Sequence, residues 1–269
     1  MARDWDDEFA NMAHIPGSAA FPDQWAQAAA AFRQSNAAIP TVPYGAHPRE
    51  KLDLFLPSGA AKGLLVFVHG GYWLATGRED WSHLAAGALA LGFAVALPSY
   101  PLAPEARITA ITQSVARAIA AAAALVEGPI YLAGHSAGGH LAMRMVSDEG
   151  PLPPTIRAQL ARVTGISGVY DLRPLRNTKM NATLQLSKAE AAAESPILLK
   201  PYTELPLTLW VGSDERPEFL RQSRALHADW VAKGAEITLV EEPGHHHFSI
   251  LDGLTQPESP LMAAILRAP

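Results

Sequence analysis

Ser136 is the residue on which chemistry could centre, because it stands in Gly134-His135-Ser136-Ala137-Gly138, a Gly-x-Ser-x-Gly pattern. A serine hydroxyl shown at the tip of a sharp turn needs neighbours without bulk two positions to either side, and the two glycines supply them. Such a hydroxyl is a weak nucleophile at neutral pH. It needs a base within hydrogen-bond reach and a third group to orient that base. Downstream the chain offers acids at Asp214 and Glu215 and imidazoles at His245, His246 and His247. The chemistry in view is acyl transfer through a covalent serine intermediate. The pattern alone is weak evidence in a chain with 20 glycines, so the elements around it must carry the argument.

Those elements read as alternating strands and helices. Lys51 to Pro57 alternates Leu52, Leu54 and Leu56 with other residues, the period of a half-buried strand. Gly63 to Val68 is continuously apolar, as a central strand buried on both faces would be, and it runs into His69-Gly70-Gly71-Tyr72-Trp73. Adjacent glycines at a strand's carboxyl end leave backbone amides free to approach a ligand. Trp81 to Leu91 has helical spacing, and Phe93 to Leu97 reads as a buried strand. Ile108 to Val126 follows as a long helix with Ile111, Val115, Ile119 and Leu125 on one stripe. The apolar run into Ser136 is the next strand, and the residues after it are helix-prone.

Val163 to Val169 and Leu205 to Val211 read as strands, Pro217 to Lys233 as a helix with Phe219, Leu220, Leu226 and Trp230 inward, and Glu236 to Val240 as the last strand. A closing helix is expected within Pro257 to Leu266. Asp171, after the Val163 strand, reads as a structural cap for a following helix. Residues 1–40 are dense in aromatics (Trp5, Phe9, Phe21, Trp25 and Phe32) and suit either a packed lid or an ordinary covering helix. Residues 173–203 read as an irregular helical insertion of the kind that shapes pockets. Nothing divides the chain, so one domain over 1–269 is expected.

Composition narrows the function. With 49% hydrophobic residues the chain can bury a sizeable core, and its longest apolar run, Ala118 to Val126, is too short to cross a bilayer. The acidic start, Met-Ala-Arg-Asp-Trp-Asp-Asp-Glu, lacks a secretory pattern, and a cytoplasmic location is expected. There are no cysteines, hence no disulfide, no thiol nucleophile and no cysteine-held zinc. A net charge of −5 without a dense basic cluster argues against nucleic acid, leaving a small molecule as the expected partner. Three consecutive histidines point in different directions on a loop, and no paired ligand set accompanies them, so neither a metal nor a cofactor is expected. A homodimer is compatible with the sequence, which does not itself set the oligomeric state.

Serine, acid and histidine follow one another in that order, each at the carboxyl end of a strand, the order of an α/β-hydrolase fold with a mostly parallel sheet and helices on both faces. The acid is Glu215 or Asp214. The third place after the strand-ending Gly212 favours Glu215. The residues His69-Gly70-Gly71-Tyr72-Trp73, Gly134 to His140, Arg216-Pro217-Glu218-Phe219 with Arg221-Gln222-Ser223, and His247-Phe248 together resemble the kynurenine formamidase (arylformamidase) branch of the esterase/lipase α/β hydrolases. The likeness spans roughly Tyr44 to Asp252. It implies Ser136 as nucleophile, the acid just before Arg216, His247 as base, and Gly70, Gly71 and Ala137 as the oxyanion-hole region. Members of that group often carry aspartate as the acid, and this chain has Glu215 beside Asp214.

Tyr72 and Trp73 are either core aromatics or walls of the substrate site. The resemblance implies cleavage of an aryl formamide such as N-formylkynurenine, a step of tryptophan catabolism. A broad short-chain carboxylesterase shares the same machinery, and a catalytically silent binding protein is the alternative from another class.

Overall fold

The computed structural model describes residues 3–36 and 41–267, so the segment expected over 1–40 lies partly outside the described residues. Three helices, α1 (Trp5–Glu8), α2 (Asn11–His14) and α3 (Phe21–Ser35), precede the first strand. The strands are β1 (Val42–Pro43), β2 (Lys51–Phe55), β3 (Leu64–Val68), β4 (Ala94–Pro98), β5 (Ile130–His135), β6 (Leu160–Ile166), β7 (Leu207–Gly212) and β8 (Ile237–Glu242). They form one sheet in the order β1-β2-β4-β3-β5-β6-β7-β8. β1 and β2 are antiparallel additions, and from β4 to β8 every pairing is parallel. Parallel neighbours require crossovers. These are supplied by α4 (Ala86–Ala90), α5 (Ile108–Ala123), α6 (Ala137–Met145), α7 (Pro154–Arg157) and, after β7, α10 (Pro217–Ala232).

Side chains alternate across the sheet, so β3 sends Leu64, Val66 and Val68 into one apolar layer and Leu65 and Phe67 into the other. The first layer packs on Ile111, Val115 and Ile119 of α5, Leu141 of α6, and Phe219, Leu226 and Trp230 of α10. The second packs on Leu84 and Ala88 beside α4 and on Leu261, Met262 and Ile265 of α11 (Pro260–Leu266). Each such buried aliphatic side chain contributes about 1.5–3 kcal/mol relative to exposure. Residues 173–203 hold the short helices α8 (Asn181–Leu184) and α9 (Lys188–Ala193) with 3₁₀ turns to either side. Among the described residues no helix is long and apolar enough to cross a membrane.

Two expectations fail for a physical reason. β2 is not half-buried: Asp53 and Phe55, on the face expected to meet water, are buried. α3 covers that face, with Phe32 packed on Phe55 at 5.5 Å and Arg33 donating to the Asp53 carboxylate, which Arg78 also pairs at 2.9 Å. A buried carboxylate costs several kcal/mol unless it is paired, and two guanidiniums meet that condition. The α5 stripe ends early as well. Leu125 lies past the helix terminus and is 46% exposed.

Candidate active site

Ser136 sits between β5 and α6 with φ 55° and ψ −116°, a conformation that costs a non-glycine residue about 1–3 kcal/mol. The surroundings impose it: the Ser136 amide donates to Ile166 of β6 at 2.8 Å, and the Ser136 carbonyl accepts His140 N–H at 3.0 Å. The flanking glycines are needed because backbone fills their side-chain space. A Cβ on Gly138 would lie 1.9 Å from the Val68 carbonyl oxygen, and one on Gly134 would lie 2.1 Å from that of Gly138. Ala137 opens α6, so its amide has no helical partner and the positive end of the helix dipole lies beside the serine.

The end of β3 closes on the same point, with Gly70 so near the elbow that a Cβ there would meet Ser136 Cβ at 3.1 Å. Among the described residues neither Gly70 nor Gly71 gives its amide to a backbone carbonyl. Their shared peptide is held from its other edge: His69 Nδ1 donates to the Gly70 carbonyl at 2.7 Å, and Thr76 Oγ1 donates to it at 3.1 Å. In a trans peptide that carbonyl and the Gly71 N–H point opposite ways, so pinning the one aims the other. The His69 ring is itself stacked on Tyr100 at 4.3 Å.

Acid and imidazole meet across the ends of β7 and β8. Glu215, 7% exposed, accepts the His247 Nδ1 proton on Oε2 at 2.7 Å. Its Oε1 accepts the Gly212 amide at 3.0 Å and the Ser167 hydroxyl. Asp214 is exposed and among the described residues accepts only from the neighbouring Ser213 hydroxyl, so between the two adjacent acids it is Glu215 that faces the imidazole. With its Nδ1 proton committed to Glu215, His247 carries its lone pair on Nε2. The ring lies 4.6 Å from that of His135, whose Nε2 donates to the His247 carbonyl at 2.9 Å, and 4.5 Å from Phe219. The histidine loop is thereby fastened to the residue just before Ser136. Ser136, 2% exposed, makes no hydroxyl hydrogen bond among the described residues, and such bonds commonly tighten only when substrate is seated.

The neighbouring histidines serve their own loop. His246 Nδ1 accepts the amides of Phe248 and Ser249 at 3.2 and 3.1 Å, and His245 Nδ1 donates to the Ser249 carbonyl at 3.2 Å. Trp73 has no exposed surface and meets His140 edge-on at 5.1 Å, so it belongs to the core rather than to a substrate wall. Tyr72 faces the amino-terminal segment instead, donating its hydroxyl proton to the Phe9 carbonyl at 2.7 Å. Asp171 holds a turn, not a helix end: it accepts the Arg173 amide at 3.1 Å and pairs with that residue's guanidinium.

Residues of the amino-terminal segment cover the site. Phe9 meets Phe219 edge-on at 6.0 Å, and Phe21 and Trp25 pack on Phe248 at 5.3 and 5.1 Å. Arg3 pairs with the buried Glu218, and Asp7 with Arg216. What remains beside the dyad is a crevice of about 10 Å³ among Asn11, His14, Ile15, Arg216, His246 and His247. Sequence reading missed Ser167 and Asn11. The only local signal for Ser167 was a small polar residue before a glycine, Ser167-Gly168, at a strand's carboxyl end.

Burial pushes the His69 and His140 imidazoles down to about 4, so both stay neutral in the folded protein at pH 7. Unfolded histidine titrates near 6.5, so between about pH 6.5 and 4 the unfolded chain binds more protons, and stability falls on acidification. The loss is on the order of 3 kcal/mol for each ring. Urea unfolding from pH 7 to 4.5 should therefore show a midpoint dropping steadily. A flat midpoint would contradict the neutral, buried assignment.

A family model for the alpha/beta hydrolase fold matches residues 65–251. The kynurenine formamidase of Salmo salar is 29% identical over 240 residues, covering 84% of this chain and 80% of that protein. The isoprenylcysteine alpha-carbonyl methylesterase of Arabidopsis thaliana is 27% identical over 238 residues, covering 77% of this chain and 56% of that protein. Among solved structures, a putative thioesterase from Silicibacter sp. TM1040 superposes with a TM-score of 0.93 at 46% identity, covering 98% of this chain and 99% of that one.

Proposed function

The chain belongs to the α/β-hydrolase fold family and is a hydrolase; from that premise we propose that it cleaves a small aryl formamide or carboxylic ester through an acyl-enzyme on Ser136. The observation that carries this reading is the 2.7 Å contact between His247 Nδ1 and a buried Glu215, fastened beside the strained serine turn. His247 takes the Ser136 proton as the hydroxyl attacks the carbonyl carbon. Glu215 holds the imidazole in the tautomer that leaves Nε2 able to accept, and it stabilises the imidazolium that forms. The tetrahedral oxyanion is received by amides in the Gly70, Gly71 and Ala137 region, each donor contributing about 3 kcal/mol to lowering the barrier. His247 then hands its proton to the leaving amine or alcohol, and water activated by the same base releases the acid.

The alternative of a broad short-chain carboxylesterase uses the same groups, and the relatives named for methylester and thioester cleavage favour keeping it in view. Formanilide, phenyl formate, phenyl acetate and phenyl butyrate, compared by kcat/KM, test the reading. Turnover of the formyl substrates, with values falling about tenfold or more from formate to butyrate, is expected. Preference for butyrate would favour the esterase, and no turnover of any of the four would remove the proposal.

A further inference from the structure

Asn11 is 5% exposed, and its side-chain orientation is fixed by its neighbours. The single proton of the Tyr72 hydroxyl goes to the Phe9 carbonyl at 2.7 Å, so the Asn11 group 3.3 Å from that hydroxyl must be the donating Nδ2. Oδ1 therefore occupies the other side of the amide. There it is buried and has no hydrogen-bond partner among the described residues. Asn11 lines the crevice that Glu215 and His247 also line. An acceptor left without a donor in a buried place is costly, and satisfying it is a gain available to whatever enters.

We propose that Asn11 Oδ1 accepts the N–H of the substrate's leaving nitrogen and so gives this site a preference for amides over esters. This rests on the serine-hydrolase reading above. When Ser136 adds to the carbonyl carbon of an amide, the nitrogen loses its conjugation and becomes pyramidal. Its lone pair takes the proton held on His247 Nε2, the C–N bond breaks, and the amine departs with its original hydrogen and the one that came from Ser136. While the lone pair faces His247, the original N–H is turned elsewhere and needs an acceptor. An ester oxygen has no such hydrogen. An acceptor on the His247 side of the site therefore lowers the amide barrier and leaves the ester barrier alone. The amino-terminal segment, which the hydrolase sheet does not require, carries that acceptor.

The test compares formanilide with phenyl formate, which share acyl and aryl groups and differ in the N–H. Asn11→Leu should lower kcat/KM for formanilide roughly 10- to 100-fold while changing phenyl formate by no more than about threefold. Asn11→Asp keeps acceptor oxygens and should hold the amide-to-ester ratio near that of the parent. Persisting ester turnover shows that both variants are folded. Equal losses on both substrates, or no loss on either, would overturn the assignment and make Asn11 a docking residue for the segment. A parent enzyme that cleaves phenyl formate but not formanilide would overturn it too, with the hydrolase reading intact. Cleavage of neither would end both.

Discussion

Ser136→Ala is expected to lower kcat/KM by about 10⁴-fold or more for whichever acyl substrate is turned over best. The size follows from the way these groups act as a unit: without the hydroxyl, His247 has no proton to receive and the acyl-enzyme cannot form. The residual rate is what the oxyanion donors and binding alone supply. Stability should hardly change. The Ser136 hydroxyl makes no hydrogen bond among the described residues, and alanine meets the same left-handed backbone that serine already tolerates. A melting temperature within a few degrees of the parent, beside a lost activity, separates this result from unfolding. Activity near that of the parent would mean that the nucleophile lies elsewhere.

Glu215→Gln should cost about 10³- to 10⁴-fold in kcat, and Asp214→Asn should cost almost nothing. Glutamine fills the same space, yet it can turn its NH₂ group toward His247. The imidazole would then carry its proton on Nε2, where the serine proton must be received. Glu215 also accepts from Ser167 and from the Gly212 amide on its other oxygen, which leaves little freedom to compensate. Asp214 is exposed, and among the described residues its carboxylate accepts only from Ser213. Steady-state kinetics on the two variants checks the pair. The reverse ranking would move the acid one residue back and break the geometric argument.

The serine turn was legible because its requirements are local. Gly134, Ser136 and Gly138 lie within five residues, and the apolar strand and helix-prone segment around them follow from periodicity. The parallel sheet was legible for a similar reason, since β3 and β4 are apolar throughout and β7 is apolar but for Thr208. The acid was legible as one of two neighbours, with Glu215 favoured by its place after Gly212. Choosing between Asp214 and Glu215 depends on how a loop turns toward a histidine 32 residues on. Where the reading failed, a distant segment had intervened. β2 looked half-exposed until α3 was laid over Asp53 and Phe55, and Trp73, open between core and pocket wall in the sequence, is settled by the core that closes around it. Ser167 and Asn11 were invisible because what they contribute is position. One stands at the end of β6 beside the acid, and the other lies on a short helix more than two hundred residues before the imidazole.

The most direct test is labelling of the intact protein with a fluorophosphonate, followed by mass spectrometry of its peptides. One adduct per chain on the peptide containing Ser136, abolished in Ser136→Ala and slowed by orders of magnitude in His247→Ala, is the outcome the account requires. An unmodified Ser136, or labelling at the same speed once His247 is gone, would contradict it.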